Sequence, residues 1–190
     1  HGWDESKQQK WADPIKGTSP NFWGRSLGWF MMAMVDVLDS FPEDHKSRNV
    51  ILKMLQELSS SLLRYRDEET KLWYQVVDKQ NREGNYIETS ASSMFIYAFA
   101  KGYNKGYLDN KFMEIAKESY ENLTEEFLIM NDNRNIILTN VCSVSGLGGN
   151  PYRDGSFEYY ISEPKRNNDF KGYGALILAA DEISKLRIKN

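Results

Sequence analysis

Apolar residues along this chain follow two alternating patterns. Over residues 26–41 the run SLGWFMMAMVDVLDSF is apolar nearly all round and ends at Pro42. That pattern predicts a buried helix, stopped by a residue that cannot continue it. Residues 47–64 instead place Val50, Ile51, Met54, Leu55, Leu58 and Leu62 at helical spacing, with charges opposite. This predicts an amphipathic helix with one solvent face. The pair then recurs. Residues 90–105 are mostly apolar, and residues 110–127 are amphipathic through Phe112, Ile115, Ala116, Tyr120 and Leu123. Residues 172–186 begin apolar, in GALILAA, and end charged. Between these elements, LWYQVVD within residues 67–84 reads as a short β-like stretch, and NIILTNV as a strand or extended segment. The first twenty or so residues carry Pro14, Gly17 and Pro20 with few apolar neighbours and read as loop.

An alternation of all-apolar and one-sided helices is what an inner and an outer layer require. Each inner helix follows a long loop of small and polar residues, which a plain four-helix bundle does not need. The expected architecture is therefore all-α: an arc of stacked α-hairpins, with the loops at the inner-helix N-termini gathered on one face. Helix N-termini converging on a common opening favour an anionic ligand.

Composition narrows the function. The 190 residues lie within the range of a single domain, so residues 1–190 are expected to form one. A hydrophobic share of 41% with 27% charge is ordinary for a globular protein. A net charge of −3 speaks against a broad nucleic-acid face, so an anionic ligand needs a local cation. Cys142 is the one cysteine, which excludes an internal disulfide framework and fits a reducing, cytoplasmic setting. No apolar run reaches the roughly 20 residues of a membrane span, and HGWDESKQQKW has neither the basic nor the apolar region of a signal peptide.

Four stretches carry candidate chemistry. His1, Asp4 and Glu5 set two carboxylates beside a histidine, an acid–base arrangement or a solvated polar loop. The other histidine, His45, lies at a charged helix start, and no metal-binding pair is present. In NFWGRSLGWF, Trp23 and Trp29 flank Arg25, while Gly24 and Gly28 remove side chains beside it, which allows a ligand's close approach. Indole faces suit the apolar faces of sugar rings, and a guanidinium can grip a carboxylate. Packing before a buried helix accounts for the same residues equally well. The loop SVSGLGGNPYRDGSFEYY lacks either glycine-rich nucleotide fingerprint; its Tyr152, Phe157, Tyr159 and Tyr160 can line a cleft or pack. In ETSASSM, Thr89 and Ser90 read as N-caps rather than nucleophiles.

Together the blocks HGWDESKQQKWADP, SPNFWGRSLGW, ETSASSMFIYAFAKG and SVSGLGGNPYRDGSFEYYISEP resemble, in order, glycoside hydrolase family 105. These are the unsaturated rhamnogalacturonyl hydrolases, related to the unsaturated glucuronyl hydrolases. The resemblance runs over essentially the whole chain and implies an (α/α)6 toroid of six hairpins. It implies release of a 4-deoxy-4-ene uronic acid from the non-reducing end of pectin-derived oligosaccharides. In that chemistry an aspartic acid protonates the double bond and water adds, so that a hemiketal forms and collapses. The resemblance further implies that His1, Trp23, Arg25 and Trp29 line the subsite of the unsaturated sugar, with no metal or cofactor.

One departure matters. The family's catalytic aspartate precedes the motif at which this sequence starts, so it is expected upstream of His1, and the chain matches the C-terminal half of the toroid. A partial toroid is expected to expose inner-helix surface at its ends and to self-associate. Two rival readings follow from the same residues. One is a carbohydrate-binding or scaffold module without catalysis; the other is a lyase or epimerase toroid using Asp4 or Glu5 as base.

Overall fold

The computed structural model describes residues 2–188, with side chains described through residue 185. Its main elements are α1 (Gly24–Ser40), α2 (Arg48–Leu63), α3 (Thr89–Asn104), α4 (Asn110–Phe127) and α6 (Phe170–Ile188). A short α5 (Phe157–Ser162) precedes α6. Four short strands complete the order: β1 (Leu128–Met130), β2 (Ile136–Leu138), β3 (Val141–Cys142) and β4 (Lys165–Arg166). β1 and β2 form an antiparallel hairpin pairing Leu128 with Leu138, and β3 pairs with β4 through Cys142 and Lys165.

The inner layer is α1, α3 and α6, and the three run parallel. A Cβ on Gly24 would meet Ala91, one on Gly28 would meet Met94, and one on Gly172 would meet Ser90. Positions early in α1 and α6 thus lie beside positions early in α3, so the three N-termini share one end of the molecule. At the opposite end, Lys101 Nζ reaches Asp36 Oδ1 at 2.7 Å and Asp39 Oδ2 at 2.8 Å, tying α3 to α1. Asn104 Nδ2 donates to Glu182 Oε2 at 2.8 Å and ties α3 to α6. The outer helices bury one stripe each: Leu55, Ser59 and Leu62 on α2, and Phe112, Ala116, Ser119 and Leu123 on α4.

Burial corrects one expectation. Only α3 is enclosed nearly all round, because it alone has inner helices on both sides and α4 behind it. α1 and α6 were expected to be buried, yet each keeps an apolar face open. On α1, Trp29, Phe30 and Val37 are exposed; on α6, Phe170, Ile177 and Leu178 are. These two helices flank α3, and their exposed apolar side chains line open grooves: Phe30 and Val37 with Ile51 and Met54 of α2, and Phe170, Ile177 and Leu178 with Trp29 and Met32 of α1.

The stretch LWYQVVD forms no strand. It runs extended between two segments, through single bridges from Val76 to Trp23 and from Tyr74 to Ile87. Its backbone donates and accepts on both sides, with Gly24 N–H to the Gln75 carbonyl at 2.9 Å and Gln75 N–H to the Tyr86 carbonyl at 2.8 Å. This places Trp73, Gln75 and Val76 in the interior, directly below the N-termini of α1 and α3.

Candidate functional site

The common end of α1, α3 and α6 gathers most of the residues that the sequence marked. Trp23 is the N-cap residue of α1, in extended conformation and without a side-chain cap bond. Its indole stacks on Tyr160, with centroids 6.0 Å apart and 19° between planes. Arg25, the second residue of the helix, lies with its guanidinium 5.5 Å from the Trp23 ring centre. Such a pairing holds ring and cation in register. Trp23 and Arg25 are therefore one unit.

Arg25 is completely buried. Its Nη2 donates to the Cys142 carbonyl at 2.6 Å, while Nε and Nη1 have no partner among the described residues. A buried guanidinium with two idle donors is unusual, because unpaired buried polar groups cost stability. Gln75 Oε1 and Trp23 Nε1 are likewise buried without partners. Further such atoms, on Ser59, Arg66 and Asn104, lie away from this end.

The two glycines act differently from what the sequence implied. They were expected to admit a ligand beside Arg25; they admit α3 instead. A Cβ on Gly28 would lie 2.7 Å from Met94 Sδ and 2.8 Å from Met94 Cβ, and one on Gly24 would lie 3.0 Å from Ala91 Cβ. The close approach of α1 to α3 fixes where Arg25 and Trp23 sit.

Glu88 organises the next element. It caps α3, accepting from Ser90 N–H at 3.3 Å, Ser90 Oγ at 2.7 Å and Ala91 N–H at 2.7 Å. It also accepts from Cys142 N–H at 2.9 Å, which fastens β3 across the helix end. The cap is Glu88, not Thr89 or Ser90: Ser90 Oγ serves as a donor to it, and Thr89 Oγ1 donates to the Thr139 carbonyl at 2.7 Å. Neither hydroxyl is poised as a nucleophile. Cys142 Sγ accepts from Gln75 Nε2 at 3.2 Å within the same buried cluster. Burial, with Cys142 and Glu88 close by, pushes the Tyr86 phenol far above its ordinary range, so it stays protonated.

The remaining candidates separate. Trp29 is 47% exposed and lies one turn beyond Arg25 on α1. It lines an apolar groove of about 380 Å³ with Met32 and with Phe170, Ala175, Ile177 and Leu178 of α6. His1 lies outside the described residues. Asp4 is spent on its own loop, accepting from Ser6 N–H and Oγ, Gln8 N–H and Gln9 N–H at 2.7–3.0 Å. The bond from Gln9, with those from Ser6 and Gln8, holds its carboxyl below the usual range. Burial would raise Asp169, but hydrogen bonds from Lys171 and the fields of Lys171 and Arg25 lower it. In the glycine-rich loop, Phe157 and Tyr160 are buried packing residues, and Tyr152 alone of the four aromatics is exposed. Tyr159 accepts from Gly146 N–H at 3.0 Å, and burial followed by Glu163 pushes its hydroxyl up to about 12. Among the described residues no group of three or more His, Cys, Asp or Glu side chains can hold a metal ion. No helix there is long and apolar enough to cross a membrane.

Sequence reasoning missed Gln75, Tyr86 and Glu88 as members of this cluster. Their signal was weak: a polar residue inside LWYQVVD and an acid directly before a buried helix, the capping position, were the only hints.

Parallel inner helices whose N-termini meet at an aromatic–cationic cluster, backed by amphipathic outer helices, define the class: part of an α/α toroid of the kind built by carbohydrate-active enzymes. The model of Glycosyl Hydrolase Family 88 matches residues 1–187, and the chain belongs to that family. A solved family 105 glycoside hydrolase from Clostridium acetobutylicum ATCC 824 superimposes with a TM-score of 0.95 at 45% identity. That match covers 97% of this chain and 51% of the other, so the chain spans about half the length of that relative. Protein Atu3128 of Agrobacterium fabrum is 38% identical over 188 residues, covering 96% of this chain and 80% of its own. An unsaturated 3S-rhamnoglycuronyl hydrolase of Formosa agariphila is 25% identical over 168 residues, covering 87% of this chain and 39% of its own.

Proposed function

We propose that this chain forms the sugar-recognising part of a glycosidase acting on oligosaccharides that end in an unsaturated uronic acid. The whole enzyme would hydrate the 4,5 double bond of that sugar, as in the breakdown of rhamnogalacturonan fragments of pectin. The observation that carries the reading is the Trp23–Arg25 unit at the meeting point of three helix N-termini. Helix ends and a guanidinium both favour a carboxylate, and the indoles of Trp23 and Trp29 offer faces to sugar rings. Arg25 lies buried beneath the ring, and its charge, with Nε and Nη1 unpartnered among the described residues, draws a carboxylate to this end of the helices in this reading. His1, named by family resemblance, completes the subsite in this reading.

The proton donor belongs outside these residues. Three acids described above are committed: Glu88 to four donors, Asp4 to its loop and Asp169 to Lys171. That engagement also speaks against Asp4 as the base of a lyase or epimerase. The lone, buried Cys142 accords with a reducing, cytoplasmic setting.

Titration of the 190-residue chain with an unsaturated uronyl disaccharide and with its neutral methyl ester tests the role of Arg25. The free acid is expected to bind at least about tenfold more tightly than the ester, about 1.4 kcal/mol. Arg25→Met should abolish that preference and Arg25→Lys should retain part of it. Equal binding of acid and ester by the unmodified chain would refute the charge-recognition role.

A further inference from the structure

We propose that the hollow between the N-terminal loop and the start of α1 is a second sugar subsite, selective for an acidic residue further along the oligosaccharide. The proposal rests on the reading of the Trp23 wall as the subsite for the terminal sugar. The hollow measures about 580 Å³ and is lined by Trp11, Asp13, Lys16, Thr18, Pro20 and Phe22, among others. That volume lies within the ordinary range of ligand pockets. It adjoins the first site through the chain itself, since Phe22 lines the hollow and Trp23 is the next residue.

Its walls are built and held. Trp11 is half-buried; a Cβ on Gly2 would lie 3.4 Å from its ring, and one on Gly148 would lie 3.9 Å from its Nε1. The indole is therefore seated between the N-terminal loop and the glycine-rich loop, leaving its partly open surface as a platform. The two loops are also joined by Asn21 Nδ2, which donates to the Gly155 carbonyl at 2.9 Å. At the base, Lys16 is pinned by its backbone: its carbonyl accepts from Trp3 Nε1 at 3.2 Å, and its N–H donates to Asp13 Oδ1 at 2.7 Å.

The charge balance of the hollow selects the ligand. Asp13 is the one acid lining it; its Oδ1 accepts from the N–H groups of Ile15 and Lys16 within the turn, and those bonds with the fields of Lys16 and Lys7 keep it ionised. The Lys16 ammonium makes no ion pair among the described residues. An indole platform, a threonine hydroxyl and an open ammonium together fit a sugar ring carrying an anionic substituent, either a carboxylate or a sulfate. A neutral sugar would leave the ammonium unused.

Calorimetric titration with size-defined unsaturated oligosaccharides tests this. The probes are an unsaturated uronyl disaccharide and longer homologues whose added residue is uronic, sulfated or neutral. The unmodified chain is expected to bind the longer acidic homologues about tenfold more tightly than the disaccharide. The carboxylate and sulfate arms decide which anion the hollow prefers, and the neutral homologue should gain less than either. Lys16→Gln, at an exposed side chain, and Trp11→Ala should remove the gain while leaving disaccharide binding unchanged. Trp11→Tyr keeps an aromatic platform, should restore part of the gain, and separates loss of stacking from loosening of the loop. The subsite is overturned if every length binds equally, or if Lys16→Gln retains the full gain. Failure to bind even the disaccharide overturns the reading of the Trp23 wall as well, a distinct pattern from loss of the length dependence alone.

Discussion

At the scale of single residues, packing and recognition turn out to be coupled. Gly28 carries no ligand, but it lets α1 approach α3 closely enough to seat Arg25 beneath Trp23. Gly28→Ala forces a methyl into Met94 and is expected to cost about 1–3 kcal/mol of stability, read by denaturant unfolding. Gly174 in α6 is the internal control, since a Cβ there meets nothing within 4 Å. Gly174→Ala should stabilise the chain by about 0.5–1 kcal/mol, from helix propensity alone. Glu88→Ala removes the α3 cap, worth about 0.5–2 kcal/mol. It also strands the buried Cys142 N–H, at about 1–3 kcal/mol. It should therefore destabilise the chain more than Gly28→Ala does. The sequence exposed Trp23, Arg25 and Trp29 because their residue types are rare in combination. It could not show that the flanking glycines face a helix, since a missing side chain looks the same whether a ligand or a neighbour fills the space.

At the scale of elements, helices were the legible part. A sustained apolar or amphipathic period located all five long helices within one or two residues at most ends, and α4 as Asn110–Phe127. The short pieces were not legible. LWYQVVD has strand-like composition, yet it is bridged singly on each side rather than laddered, and α5 is too brief to show a period. The N-terminal loop has its own acid dependence. Asp4 and Asp13 are both held below the ordinary 3.8, chiefly by the N–H groups of Gln9 and Lys16. Groups with depressed pKa stabilise the fold above their unfolded value and lose that contribution as pH falls through the lowered one. The loop should therefore hold its geometry at neutral pH and loosen below about pH 4. The share of tryptophan fluorescence that comes from Trp3 and Trp11, two of the five tryptophans, should change there before the helical circular dichroism does. Asp4→Asn should bring part of that change to neutral pH.

At the scale of the whole molecule, the described residues form an arc with three inner helices and apolar side chains exposed on α1 and α6. The inner–outer alternation made this architecture readable from sequence. The extent of the open surface was less so, because an all-apolar helix has the same pattern whether its neighbours are present or not. The exposed Phe30 and Val37 of α1 and Phe170, Ile177 and Leu178 of α6 are expected to drive self-association of the 190-residue chain. Sedimentation should show species larger than a monomer, reduced by the double change Val37→Lys and Ile177→Lys; a clean monomer at all concentrations would contradict this. In the proposed function the Trp23–Arg25 wall recognises an unsaturated uronate while the acid that finishes the reaction lies elsewhere. A single titration tests it most directly: an unsaturated uronyl disaccharide is added to the isolated chain while heat of binding and the ultraviolet absorbance of the double bond are followed together. Saturable binding that Trp23→Ala abolishes is expected, with absorbance constant over time. Decay of the absorbance, or binding that Trp23→Ala leaves intact, would contradict it.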